Sequence, residues 1–297
     1  MVARRSQLVL GLDPDPSRLW PRALVVADTD GSPQPSPAQR AARAVIEHCR
    51  LVLAATAEQC VAVKLQVACF ERLGPPGWAA LQEVSEVARG HDLLVIADAK
   101  RGDVGVSAAA YAQAFLGETP TPYGPVAGLG VDALTVNPLL GIDSLEPFVS
   151  AARERGAGVL VLVRTSNPGA CDVQDHELAT GGTVSARLAE LVTELGRAGI
   201  GRAGLADVGA VVGATAPERL ELLRATMPHA VFLLPGVGAQ GGRVEALKAA
   251  FAPGPAAGLV TASRGIVAAH EKYGGDPPDA ARTEAQRLRA LAWSLAR

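Results

Sequence analysis

The stretch LLVIADAKRGDVG, residues 93–105, opens as an apolar run too short for a helix. It then places Asp98, Lys100, Arg101 and Asp103 within six positions before helical periodicity resumes. An apolar run that ends in charges and passes into a helix is the repeating unit of a parallel sheet covered on its outer face. Seven further runs have this character: LVLGL at 8–12, VAVKL at 61–65, ALTV at 133–136, VLVLV at 159–163, AVVGA at 210–214, VFLLP at 231–235 and GLVTA at 258–262. Amphipathic or Ala-rich segments fill the intervals at 37–57, 77–89, 104–116, 144–155, 183–198, 217–226 and 242–251, and 280–295 closes the chain.

Eight such units predict an α/β protein built as one (β/α)8 barrel, a single domain over 1–297. The rival is an open doubly wound sheet. Its nucleotide fingerprint, GxGxxG after the first strand, is missing, because that position reads GLDPDP. Barrel chemistry sits at the C-terminal ends of strands, and the polar outliers fall there: Asp13, Lys64, Asp98 and Lys100, Asn137, Thr165 and Ser166, the glycines of 236–242, and Ser263 with Arg264. Three long loops are expected near 21–37, 117–130 and 167–182, the last on the catalytic rim, where it is placed to cover a ligand.

Composition narrows the function classes. With 28 basic and 30 acidic residues the net charge is -2, which offers no broad positive surface for nucleic acid. No run approaches 18 uncharged apolar residues, so no membrane partner is expected. Four cysteines without CxxC or zinc-like spacing, and an N-terminus that meets a charge and two prolines early, predict a cytoplasmic protein without a metal. His48 in the first helix and His270 near the tail join no metal set.

Asp98 and Lys100, two apart on an extended segment, are placed to point the same way, and Lys64 on the adjacent strand reaches the same space. If Asp103 joins them, each lysine is held cationic by flanking carboxylates. That suits Lys100 as a proton donor and argues against a Schiff-base nucleophile, which must be deprotonated. A solvated turn with incidental ion pairs is the alternative for DAKRGD alone. Lys64 weighs against it, since an ammonium inside VAVKL must snorkel or meet a partner. Asp13, before a proline, also reads as an ordinary turn former.

At the other end, GVGAQGG at 236–242 presents backbone amides at the start of a helix, and SRG at 263–265 adds a hydroxyl and a guanidinium. Loops after the last two strands of this barrel commonly cradle phosphate, and the planar fork of Arg264 binds phosphate oxygens bidentately. Thr165, Ser166 and Asn167 supply neutral donors suited to a heterocycle.

DAKRGDVG at 98–105, TVNPLLG at 135–141, TSNPG at 165–169, LPGVGAQGG at 234–242 and SRGI at 263–266 occur in an order that resembles the orotidine 5'-phosphate decarboxylase family, in its longer-chain bacterial subgroup. The resemblance runs from GLDPDP at 11–16 to SRGI and implies conversion of orotidine 5'-phosphate to UMP and CO2 without a cofactor or metal. It implies catalytic roles for Lys100, Asp98, Asp103 and Lys64, with Lys100 protonating C6 and Asp103 supplied by the second subunit of a homodimer with shared sites. It further implies substrate contacts from Asp13, Ser107, Ser166, Gly238, Gln240, Arg264 and Gly265. Ser107 stands where threonine is more usual, and Val104 where isoleucine is. Two alternatives stay open: a related sugar-acid phosphate decarboxylase using a divalent metal, and a noncatalytic phosphate-binding barrel. The former normally brings an acidic ligand after an early strand, where this chain has Lys64.

Overall fold

Eight parallel strands close on themselves in chain order: β1 (Leu8–Leu12), β2 (Ala62–Gln66), β3 (Leu94–Arg101), β4 (Ala133–Val136), β5 (Gly158–Arg164), β6 (Val208–Val212), β7 (Phe232–Leu234) and β8 (Gly258–Ala262). β8 returns to pair with β1, Leu8 opposite Val260, so no barrel edge is left to aggregate. The computed structural model describes residues 1–28, 35–238 and 240–296.

Strand parity separates two cores. Leu8, Leu10 and Leu12, with Val63, Leu65, Val95, Ala97, Leu134 and Val136, point outward beneath the helices. Val9, Ala62, Ile96, Leu160, Val211, Leu233 and Leu259 fill the interior. Two residues further along β2, β3, β4 and β8, the same inward parity places Lys64, Asp98, Thr135 and Thr261. An apolar plug therefore floors a polar layer at the C-terminal mouth.

The largest helix after β1, Pro37–Thr56, begins where its sequence demands: the Ser36 hydroxyl accepts the Gln39 amide at 3.3 Å and the Gln39 side chain accepts the Ser36 amide at 2.8 Å, with Pro37 in the first turn. The predicted first loop needs correction. Pro21–Asp28 is a helix against Pro37–Thr56, its helix-forming RALVVA masked in the sequence by Pro- and Asp-rich flanks; residues 29–34 of that loop lie outside the described residues. The 117–130 segment contains an antiparallel hairpin, Glu118–Thr119 with Val126–Ala127, whose two-residue strands are too short to show periodicity. β3 extends to Arg101, four residues past the apolar run, because β4 and side chains of the site pair with its charged end.

The loop that follows β1 is tied to the first helices through one histidine. The Trp20 amide donates to Nδ1 of buried His48 at 3.0 Å, and the Trp20 indole donates to the Val267 carbonyl at 3.0 Å. Burial, reinforced by nearby His270, pushes the His48 pKa from 6.5 down to about 4. The folded chain keeps His48 neutral where the unfolded chain protonates it. Its contribution is thus complete above pH 6.5 and is lost as pH falls toward about 4, a difference of at most about 3 kcal/mol. His48→Gln should flatten the fall in Tm between pH 7 and 4.5 relative to the unmodified chain, as followed by circular dichroism melts in matched buffers.

Candidate active site

Asp98 is the centre of the polar layer. It is 7% exposed, and its carboxylate accepts four hydrogen bonds, two on each oxygen. Oδ2 takes Lys64 Nζ at 2.6 Å and Gln66 Nε2 at 3.1 Å, while Oδ1 takes Lys100 Nζ at 2.6 Å and the Thr135 hydroxyl at 3.0 Å. Burial works to raise the Asp98 pKa, but Lys64 and Lys100 overcome it and hold the group at about 2. Burial likewise opposes the charge on Lys64. Asp98, and Asp13 at 3.5 Å, prevail and raise its pKa. The lysine inside the apolar β2 run has found its partners.

Lys100 reaches Asp98 by a route that simple alternation does not describe. The β3–β4 register pairs Ala97 with Leu134 and then Arg101 with Val136, so β3 bulges across 98–100, and Lys100 adopts φ +49. Its side chain is 44% exposed and faces open space above Asp98.

A cleft of about 380 Å³ opens over this array. It is lined by Asp13, Lys64, Asp98 and Lys100, by Thr165 and Ser166, and by Gln240 and Arg264. Two glycines make the close approaches possible: a Cβ at Gly11 would lie 1.8 Å from Ser263 Oγ, and one at Gly213 would lie 2.7 Å from the Ser166 Cα. A second cavity, about 550 Å³, adjoins the first and shares Asp13, Ser263 and Arg264 with it.

Asp103, Ser107, Gly238 and Gly265 do not line the cleft. The Asp103 carboxylate accepts the Val104 amide at 2.8 Å instead, and within one chain Asp13 takes the place in the array that Asp103 was expected to fill. The reason is local: the chain turns at Gly102 and Asp103 into the helix Gly105–Phe115, carrying Asp103 and Ser107 past the mouth. Gly238 is exposed at φ +78 in the loop after β7, and Gly265 lies in the short helix Arg264–Val267.

Sequence reading overlooked Gln66 and Thr135, whose only signal was a polar side chain of inward parity beside Lys64 and Asp98. It also missed how the 167–182 loop is held. Gln174 accepts the Thr165 amide at 2.8 Å, and Asp175 receives Arg164 through Nε at 3.2 Å and Nη2 at 3.0 Å. Hydrogen bonding to Arg164 lowers the Asp175 pKa. Thr165 and Ser166 therefore stand on a braced loop. Among the described residues, no cluster of three or more His, Cys, Asp or Glu is arranged to hold a metal ion, and no helix is long and apolar enough to cross a membrane.

Comparison with known proteins places this geometry. The family model described as orotidine 5'-phosphate decarboxylase / HUMPS matches residues 6–274. The chain is 47% identical over 231 residues to the orotidine 5'-phosphate decarboxylase of Rhodopirellula baltica, covering 78% of this chain and 75% of that protein. With the enzyme of the same name from Halorubrum lacusprofundi it shares 40% over 300 residues, covering 96% and 94% of the two chains. The structure of Leishmania donovani OMP decarboxylase superposes with a TM-score of 0.72 at 31% identity, covering 98% of this chain and 95% of that one. With the family model matched over residues 6–274 and a relative 47% identical over 78% of the chain, the chain belongs to the orotidine 5'-phosphate decarboxylase / HUMPS family.

Proposed function

We propose that the chain decarboxylates orotidine 5'-phosphate, giving UMP and CO2. The observation that carries this reading is the buried Asp98 carboxylate gripped by Lys64 and Lys100 at 2.6 Å each in a cleft that Arg264 also lines. A metal-dependent sugar-acid decarboxylase would use a carboxylate near the end of β2, and that position belongs to a buried lysine already committed to Asp98. A noncatalytic phosphate binder would gain nothing from the array. UMP formation from orotidine 5'-phosphate by purified protein in chelator-treated buffer tests the assignment, and activity that required added Mg²⁺ would favour the sugar-acid reading.

In this reading the pyrimidine lies over the array with its C6 carboxylate toward Asp98. As the C6–CO2 bond breaks, its electron pair remains on C6. Lys100 stabilises that developing carbanion with its charge, then transfers a proton to C6 and is reprotonated from water. Asp98, kept anionic by its two lysines, holds the Lys100 ammonium in place. Asp13 accepts a ribose hydroxyl beside Lys64, and Ser166 binds the pyrimidine edge. Arg264 and Gln240 grip the phosphate, assisted by amides at Gly238 and Gly265. Phosphate binding far from the breaking bond supports catalysis when it is coupled to closure of the Gln240 loop.

Asp103 and Ser107 act in the site of a second copy of this chain. What supports this is their position outside their own cleft, on a face where Val104 is 50% and Val106 88% exposed. Leu139 and Leu140, on the loop whose Asn137 amide donates to the Arg101 carbonyl at 2.8 Å, are also exposed. Apolar side chains crowded around a catalytic carboxylate fit an interface better than a solvated rim.

Lys100→Ala should leave a folded protein that binds UMP but whose kcat falls by several powers of ten, each about 1.4 kcal/mol of barrier. Single-turnover decarboxylation measures it, and retention of more than about a tenth of the rate would remove Lys100 from this role. Arg264→Ala should lower kcat/KM for the nucleotide by on the order of 10²-fold or more while hardly changing turnover of the unphosphorylated nucleoside, so comparison of the two substrates isolates the phosphate contact. For the shared site, K100A and D103A are refolded together. Random pairing makes about half the dimers mixed and one site in each of those intact, so activity should return to about a quarter of the unmodified level. Confirmed mixed dimers without recovery would keep Asp103 out of the neighbouring site.

A further inference from the structure

Thr135 is fully buried in β4, and its hydroxyl sits opposite the β3 bulge. Between the paired positions Ala97–Leu134 and Arg101–Val136, β3 contains Asp98, Ala99 and Lys100, while β4 contains Thr135 alone. The two extra residues interrupt the backbone ladder. The Lys100 amide donates to Thr135 Oγ1 at 3.0 Å. The same oxygen lies 3.0 Å from Asp98 Oδ1. Hydrogen-bond direction is settled by chemistry: an amide can only donate and a carboxylate can only accept, so the hydroxyl receives from Lys100 and gives its one hydrogen to Asp98.

These bonds close a ring that runs from the Lys100 amide to Thr135, on to Asp98 Oδ1, and back to Lys100 through Nζ at 2.6 Å. Lys100 stands at φ +49, a left-handed conformation in which a side chain bearing Cβ is strained and which persists only where surrounding contacts impose it. A β-branched threonine has restricted χ1, which helps to hold its hydroxyl in one place.

We propose that Thr135 is a positioning residue for the decarboxylation. It holds the 98–100 bulge closed, so that the backbone of Lys100 stays left-handed and its ammonium stays on Asp98 beneath the reacting carbon. Thr135 does not line the cleft. It acts through Lys100 and Asp98, and its catalytic consequence rests on the decarboxylase reading, whereas its geometric consequence does not.

The matched pair T135S and T135A tests this. Both lack the γ-methyl, so they share any packing defect and differ only in the hydroxyl. T135S should keep kcat within about threefold of the unmodified chain, whereas T135A should lose on the order of 10²-fold in kcat with its Kd for UMP changed less than about threefold. Crystal structures of the two variants supply a readout independent of activity: residue 100 should remain left-handed in T135S and leave that conformation in T135A, with Nζ withdrawn from Asp98. Thr135→Val replaces T135A should the alanine protein fail to fold, since it preserves volume and removes the same hydroxyl. Equal kcat for T135S and the hydroxyl-free variant, or a hydroxyl-free variant whose residue 100 keeps its positive φ and its Asp98 contact, overturns the inference. Failure of the unmodified chain to form UMP overturns the decarboxylase reading instead, and the crystallographic comparison still decides the positioning role.

Discussion

One carboxylate organises the catalytic end of this barrel. Asp98 is buried, and a buried anion is tolerated only when opposite charge and hydrogen bonds replace the water it has lost. Its four donors come from three strands: Lys64 and Gln66 on β2, Lys100 on β3 itself, and Thr135 on β4. Meeting that requirement aligns β2, β3 and β4 at their C-terminal ends. With Asp13 joining through Lys64, the array carries two positive and two negative charges and is formally neutral.

Such an arrangement is poor evidence for stability, because apolar side chains of the same volume commonly do as well or better. Its value is preorganisation. Lys64 is deep and fully engaged, whereas Lys100 holds Asp98 with the same 2.6 Å contact from a far more open position. Two lysines on one carboxylate thus differ in setting: the buried one neutralises Asp98, and the open one faces the cleft. Dipoles and charges fixed before the substrate arrives cost no reorganisation during the reaction.

The rest of the rim is built to different tolerances. Thr165 and Ser166 stand on a loop braced by Gln174 and the Arg164–Asp175 pair. The loop after β7 is glycine-rich, with Gly236, Gly238 and Gly241 all at positive φ, and it presents Gln240 from an exposed position. One cleft is thus lined both by a braced loop and by a glycine-rich one.

The sequence by itself determined the barrel. Burial on both faces makes each strand a continuous apolar run, and eight such runs alternating with helices have few other ways to cover a sheet. It also marked Lys64 and Asp98, since charge within or at the end of an apolar strand demands a partner, and it marked Arg264 at the end of the last strand. Only the tertiary structure decided the rest. Thr135 in ALTV reads as an ordinary β-branched strand residue until the β3–β4 register sets it opposite a bulge. The positive φ of Lys100 has no glycine to announce it. The Arg164–Asp175 pair joins residues eleven apart across a loop without periodicity. Asp103 looks like a fourth member of the array by spacing, yet the turn into the next helix carries it outward. Local patterns record what each segment must bury. Which polar groups then meet is set by strand register and barrel closure, which are properties of the whole chain.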